Sequence, residues 1–182
     1  MSLSVAVGIL FAAVTAAPQA PPADAAAVKA LEKGCDDGKS AADCMAVAGR
    51  YLRGEGVPVN PGKAGDYYKK ACALGDAQGC FEHAGMYLAG QGEKKDVTRA
   101  VPLFQKACDL KLADACLRLA TLYFEGKEVE KDLARAGTLL AASCDAGVAK
   151  GCLMLAAMVR EGRGATADAK RAADLLQKGC DA

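Results

Sequence analysis

The sequence predicts an all-α solenoid, and three series of residues on one ruler predict it. Cys72, Cys108, Cys144 and Cys180 stand 36 residues apart, and Cys80, Cys116 and Cys152 repeat that interval eight residues later. Cys44 extends the second series backwards, while Cys35 falls 37 residues before Cys72. Gly54, Gly90, Gly126 and Gly162 keep the same period, and so do Asn60, Asp96, Asp132 and Asp168. A fixed period between about 20 and 50 residues marks stacked units, each burying its apolar face only against its neighbours.

The elements follow in chain order. Ala25 to Gly34 reads as the second half of an earlier unit, ahead of four cysteine-bounded units opening at Cys35, Cys72, Cys108 and Cys144. In each unit the first helix begins just before the second cysteine. It ends at the glycine of the second series, which supplies the left-handed residue that closes a helix. The Asn or Asp of the third series then accepts from the free N–H groups of the second helix's first turn. Pro61 follows Asn60 at the first helical position, where a missing N–H costs nothing. Each second helix runs about 13 residues, roughly 20 Å. Pro102 falls inside one of them and predicts a local kink. Nothing in the chain reads as a strand.

Helices this short are marginal alone and must be held by packing. Ala48, Ala84, Ala120 and Ala156 form one small-residue column, and Ala64, Ala100, Ala136 and Ala172 another. Tyr51, Tyr87 and Tyr123 stand three residues after the first column, with Val159 in the fourth unit, and are expected to fill space between helices.

Composition narrows the function classes. The chain has 182 residues, 52% hydrophobic and 25% charged, with a formal net charge of +1. That is a globular balance without the basic footprint of a nucleic-acid binder. Residues Leu3 to Ala17 carry no charge, and Pro18, Pro21 and Pro22 follow. Residues 1–17 are therefore expected to be a secretory signal peptide cleaved near Ala16 or Ala17, although no Lys or Arg precedes the apolar run. Residues 18–24 read as a Pro/Ala-rich linker and 25–182 as the repeat array. A membrane span would want about 20 apolar residues, so no stable insertion after cleavage is expected.

Export and regular cysteines agree, because oxidising compartments let disulfides persist. A step of eight or nine residues across a tight helical turn brings two Cβ atoms within bridging reach. The expected pairs are Cys35–Cys44, Cys72–Cys80, Cys108–Cys116 and Cys144–Cys152. Zinc ligands are usually two to four residues apart and often include His, whereas His83 is the single histidine here. No metal site or cofactor is assigned. Cys180 has no partner eight residues on. It is a free thiol, a route to an oligomer, or part of a longer array.

The stretch Lys70-Ala71-Cys72-Ala73-Leu74-Gly75-Asp76, with Gly79-Cys80-Phe81 and Tyr87-Leu88-Ala89-Gly90-Gln91-Gly92, resembles the cysteine-rich branch of the SEL-like repeat family. These are relatives of tetratricopeptide repeats, and the resemblance continues through Lys95-Asp96 to Lys106-Ala107-Cys108. Lys111 departs from it at the turn glycine, Glu128 at the second glycine of the Gly-x-Gly pair, and His83 at an aliphatic position. The resemblance implies a right-handed α/α superhelix of disulfide-clipped helix-turn-helix units, secreted or periplasmic, acting as an interaction scaffold. It also brings two alternatives. One is the penicillin-binding or β-lactamase label carried by Helicobacter cysteine-rich relatives, and the other is an assembly role in the mitochondrial intermembrane space.

The residues speak against catalysis. A serine β-lactamase uses Ser-x-x-Lys, and none of Ser2, Ser4, Ser40 and Ser143 has Lys three residues later. His83 shares its column with Val47, Leu119 and Leu155, which marks a core or edge position. No catalytic residue is assigned. For a scaffold, the first helices of stacked pairs line the concave side. There the column Met45, Phe81, Leu117, Leu153 and the column Leu52, Leu88, Phe124, Arg160 are expected to bind a protein or peptide. Gly49, Gly85, Thr121 and Ala157 lie between them and keep the floor open. The competing reading packs these side chains between neighbouring first helices.

Overall fold

The computed structural model describes residues 22–164 and 166–182. The expected signal peptide and residues 18–21 of the linker lie outside the described residues. Those described form nine α-helices and no strand. They are α1 (Pro22–Asp36), α2 (Ala41–Arg53), α3 (Pro61–Ala73), α4 (Ala77–Ala89), α5 (Val97–Asp109), α6 (Ala113–Glu125), α7 (Leu133–Asp145), α8 (Ala149–Glu161) and α9 (Ala169–Cys180). Helix α1 opens at Pro22, three residues before the expected start of the array. Each helix packs chiefly on the one before and the one after, giving an all-α solenoid.

Local chemistry sets the ends. The Asn60 carboxamide and the Asp96, Asp132 and Asp168 carboxylates each accept from the backbone N–H three residues on, at 2.9–3.1 Å. Gly54, Gly90, Gly126 and Gly162 close the first helices in the left-handed conformation. Between each such glycine and the next cap, the cap residue's N–H donates back to the first helix, at the carbonyl of Tyr51, Tyr87, Tyr123 or Val159. That bond fixes the entry of every second helix. Helix α5 runs unbroken through Pro102, which stands on its exposed side. One N–H missing at the sixth of its 13 residues does not end the helix.

Both alanine columns are buried, and they line the surfaces where first and second helices meet. Closer still is the approach at the disulfide turns. A Cβ on Gly79 would lie 2.6 Å from the Ala71 Cβ, and one on Gly151 2.8 Å from the Ser143 hydroxyl. Larger side chains then fill the core between units: Tyr68, Phe104 and Leu140 stand in one column, all buried. Leu176 continues that column in α9 and is 42% exposed, since no further helix follows among the described residues.

Candidate functional site

The face assigned to partner binding is built by α2, α4, α6 and α8. Positions 45, 49 and 52 and their repeats fall on one helical stripe, because residues four and seven apart return to the same side. Met45, Phe81 and Leu117 are half-buried, and Leu153 is 46% exposed. Leu52 and Phe124 are half-buried, Arg160 is exposed, and Leu88 is buried in the core. The stripe therefore serves both packing and surface. Phe81 meets Phe104 edge-on at 5.5 Å, and Phe124 lies under the Arg163 guanidinium at 4.6 Å. Between them a Cβ on Gly85 would meet nothing within 4 Å, whereas one on Gly49 would touch the Arg53 guanidinium at 3.0 Å. Beside Thr121 a recess of about 250 Å³ is rimmed by Arg118, Glu125, Lys127 and Glu128, so charge enters the face at the third unit.

Two columns of cations were not singled out in the sequence. Lys63, Arg99 and Arg135 stand three residues after the caps. Each donates to the phenol oxygen of Tyr51, Tyr87 or Tyr123, at 3.1–3.3 Å, while lying over the ring. These contacts tie the first helix of a unit to its second. The hydrogen bond from Lys63 to Tyr51 holds that ammonium above its ordinary pKa. Tyr51 also donates to Glu32 of α1 at 2.6 Å and stacks on Tyr67, whose phenol is pushed up to about 12 by burial and by nearby Glu32 and Asp36. In the fourth unit Val159 offers Arg171 no phenol.

The second column reaches backwards. Lys70 bonds Asp36, Lys106 bonds the Cys72 carbonyl at 2.8 Å, and Lys178 bonds Asp145. Each such lysine lies over the preceding disulfide turn. Ala142 holds the equivalent place in α7. Both columns keep the 36-residue period, and a search for periodic charge rather than periodic apolarity would have found them.

The structure joins Cys35 to Cys44, Cys72 to Cys80, Cys108 to Cys116 and Cys144 to Cys152, with Cα–Cα distances of 4.4–4.8 Å. Cys180 is exposed with a free thiol. Four bridges fit an oxidising compartment, and no described helix is long and apolar enough to cross a membrane. The Ser40 hydroxyl caps α2 by accepting from the Asp43 N–H at 3.0 Å. Ser143 is buried beside Cys144, and its hydroxyl has no partner among the protein atoms.

His83 is buried against Tyr87, ring centroids 4.8 Å apart, and its Nδ1 has no hydrogen-bond partner. It borders a small cavity with Gly65 and Met86. Burial depresses its pKa; Glu93 opposes the shift, Lys69 adds to it and Asp66 opposes it. The unfolded chain therefore takes up this proton first, and the stability from a neutral His83 is complete above about pH 6.5 and lost as pH falls toward the folded-state value. Thermal midpoints measured from pH 7.5 to 5 should fall in the wild type and stay flatter in His83→Leu. Parallel profiles would place the acid sensitivity elsewhere.

The Sel1 repeat pattern matches residues 42–76, 77–112, 113–148 and 149–182. Its boundaries fall between the two cysteines of each bridge, so every disulfide joins one repeat to its predecessor or to the half-unit before the first. Among curated proteins no sequence match was found. A protective antigen of uropathogenic Escherichia coli strains displaying an SLR fold superposes with a TM-score of 0.80 at 25% identity, over 86% of this chain and 33% of that one. A Sel1 repeat protein from Oxalobacter formigenes gives 0.75 at 25% identity, over 87% and 45%. Helicobacter pylori cysteine rich protein B gives 0.52 at 30% identity, over 65% and 85%. The chain thus spans less than half the length of the first two. With four matched repeats covering most of its length, the chain belongs to the Sel1 repeat family.

Proposed function

We propose that this chain is an exported scaffold, secreted or periplasmic, that holds an extended polypeptide along the face formed by α2, α4, α6 and α8. Sel1 repeats are interaction modules, and the four bridges suit an extracytoplasmic address. One observation carries the reading. The space over Gly85 is open and half-buried Phe81 and Leu117 stand on the same stripe, which gives the face a shallow apolar floor there. Such floors take apolar side chains of a bound segment, and backbone groups of that segment stay in water along the rim.

The test follows from the same space. Gly85→Leu fills the floor without touching the core, and a helical Gly replaced by Leu gains helix propensity. Partner recovery by cross-linking in the native compartment is expected to drop at least tenfold (about 1.4 kcal/mol of binding) with helicity unchanged. Phe81→Glu with Leu117→Glu should do the same, although Phe81 also packs on Phe104 and this pair will lose stability as well. Equal recovery by wild type and Gly85→Leu would remove the face from the binding site.

A further inference from the structure

We propose that the Cys108–Cys116 bridge is a thiol–disulfide exchange site open to small carboxylate-bearing thiols, while the other three bridges are latched shut. The latch is the lysine column. Lys70, Lys106 and Lys178 lie over the turns of the first, second and fourth bridges. Over the third stands Ala142, and the carboxylate a lysine there would meet, Asp109, accepts instead from Gln105 on its own helix at 2.9 Å. The space left is a recess of about 380 Å³ lined by both bridged sulfur residues together with Lys111, Ala142 and Asp145. Cys108 is 8% exposed, the most of the eight bridged cysteines.

Charge and backbone at the recess point the same way. Lys111 occupies the turn position that Gly38, Gly75 and Gly147 hold elsewhere, and it adopts the same left-handed backbone with φ of 71°. A side chain is disfavoured in that conformation, and what it adds is a cation beside the bridge. Asp145 in the same recess is engaged by Lys178, so it does not cancel that charge. A cation there attracts an anionic thiol and favours the thiolate forms of both reagent and protein sulfur.

The step balances with two equivalents of thiol. The first, as thiolate, attacks the Cys108 Sγ, forms a mixed disulfide and expels the Cys116 Sγ as a thiolate, which takes a proton from water. Cys116 lies in the first turn of α6, whose start carries no side-chain cap because Leu112 stands at the cap position. The Ala115 and Cys116 N–H groups bond the Leu112 carbonyl, and those of Ala113 and Asp114 are left free to favour the departing negative charge. A second thiol attacks the reagent sulfur of the mixed disulfide, which frees Cys108 and yields the oxidised reagent. Two electrons pass from the two thiols to the bridge. The product is an array whose second and third repeats are no longer clipped by a disulfide and are joined there by the backbone alone.

The experiment uses the oxidised full chain with Cys180 alkylated beforehand, so that reduced glutathione is the only thiol present. Samples quenched over time are alkylated and mapped by mass spectrometry, with helicity followed in parallel. Cys108–Cys116 is expected to open roughly tenfold faster than the other bridges, with helicity retained. Ala142→Lys should remove most of that difference, and Lys106→Ala should speed opening of Cys72–Cys80. Replacing glutathione by neutral 2-mercaptoethanol should narrow the advantage, and Lys111→Gly should narrow it for glutathione. All four bridges opening together, another bridge opening first, or Ala142→Lys leaving the rate unchanged would overturn the proposal.

Discussion

Complete reduction and blocking of the eight bridged cysteines is expected to lower the thermal midpoint by roughly 20–40 °C. Each bridge closes a loop of eight or nine residues, which the chain-entropy account values at about 2–3 kcal/mol. Four together amount to about 10 kcal/mol, as much as the whole stability of many domains. The bridges also sit where the array depends on them. They clip α1 to α2, α3 to α4, α5 to α6 and α7 to α8, the junctions between repeats. A solenoid fails at its interfaces, because each repeat is stabilised only by its neighbours. Far-ultraviolet circular dichroism during heating, with and without blocked thiols, reads the effect. A shift of only a few degrees would mean that the alanine columns and tyrosine–cation contacts hold the junctions without covalent help.

Gly92→Ala should cost about 2–4 kcal/mol, by the sum of a left-handed Ala and an overpacked contact. Gly92 has φ of 78°, and a Cβ there would lie 2.6 Å from the Pro61 carbonyl carbon and 2.7 Å from the Gly62 nitrogen. Both are backbone atoms at the start of α3, so nothing flexible can move aside. The loop after one repeat's first helix is thereby pressed against the second helix of the repeat before it. Gly85→Ala is the control, since it lies in a helix with open space around it and should be slightly stabilising. Equal midpoints for the two variants would show that the 90–95 loop relaxes freely.

What was legible in the sequence was what depends on near neighbours. The caps at Asn60, Asp96, Asp132 and Asp168 act over three residues and the bridges over eight or nine, so spacing alone located both. Glu128 shows where this logic stops. Gly56, Gly92 and Gly164 are left-handed, but Glu128 is not among the positive-φ residues, and it pairs with Lys95 of the preceding loop. The chain takes a different path there, which spacing could not disclose. Leu88 was equally opaque. It shares a column with Leu52, Phe124 and Arg160, yet it is buried where those three are partly or fully exposed. Its burial depends on what the neighbouring units place above it. The cation columns stayed hidden for a third reason: charged side chains on a helix surface ordinarily face water, and only the tyrosine hydroxyls and disulfide turns beside them give these ones a partner.

The short span of every bridge bears on how the protein matures. Eight cysteines permit on the order of a hundred pairings, and an oxidising chain must find one of them. Closing a loop of about ten residues takes roughly 10–100 ns, and the entropic cost rises with the length closed. Native partners are therefore also the partners that meet most often before any tertiary structure exists. Helices α3 and α4 can be stapled as soon as Cys72 and Cys80 meet an oxidant, without waiting for later repeats. Each unit can therefore be closed on its own, in any order. Competing pairs such as Cys44 with Cys72 or Cys80 with Cys108 lie 28 residues apart and meet less often.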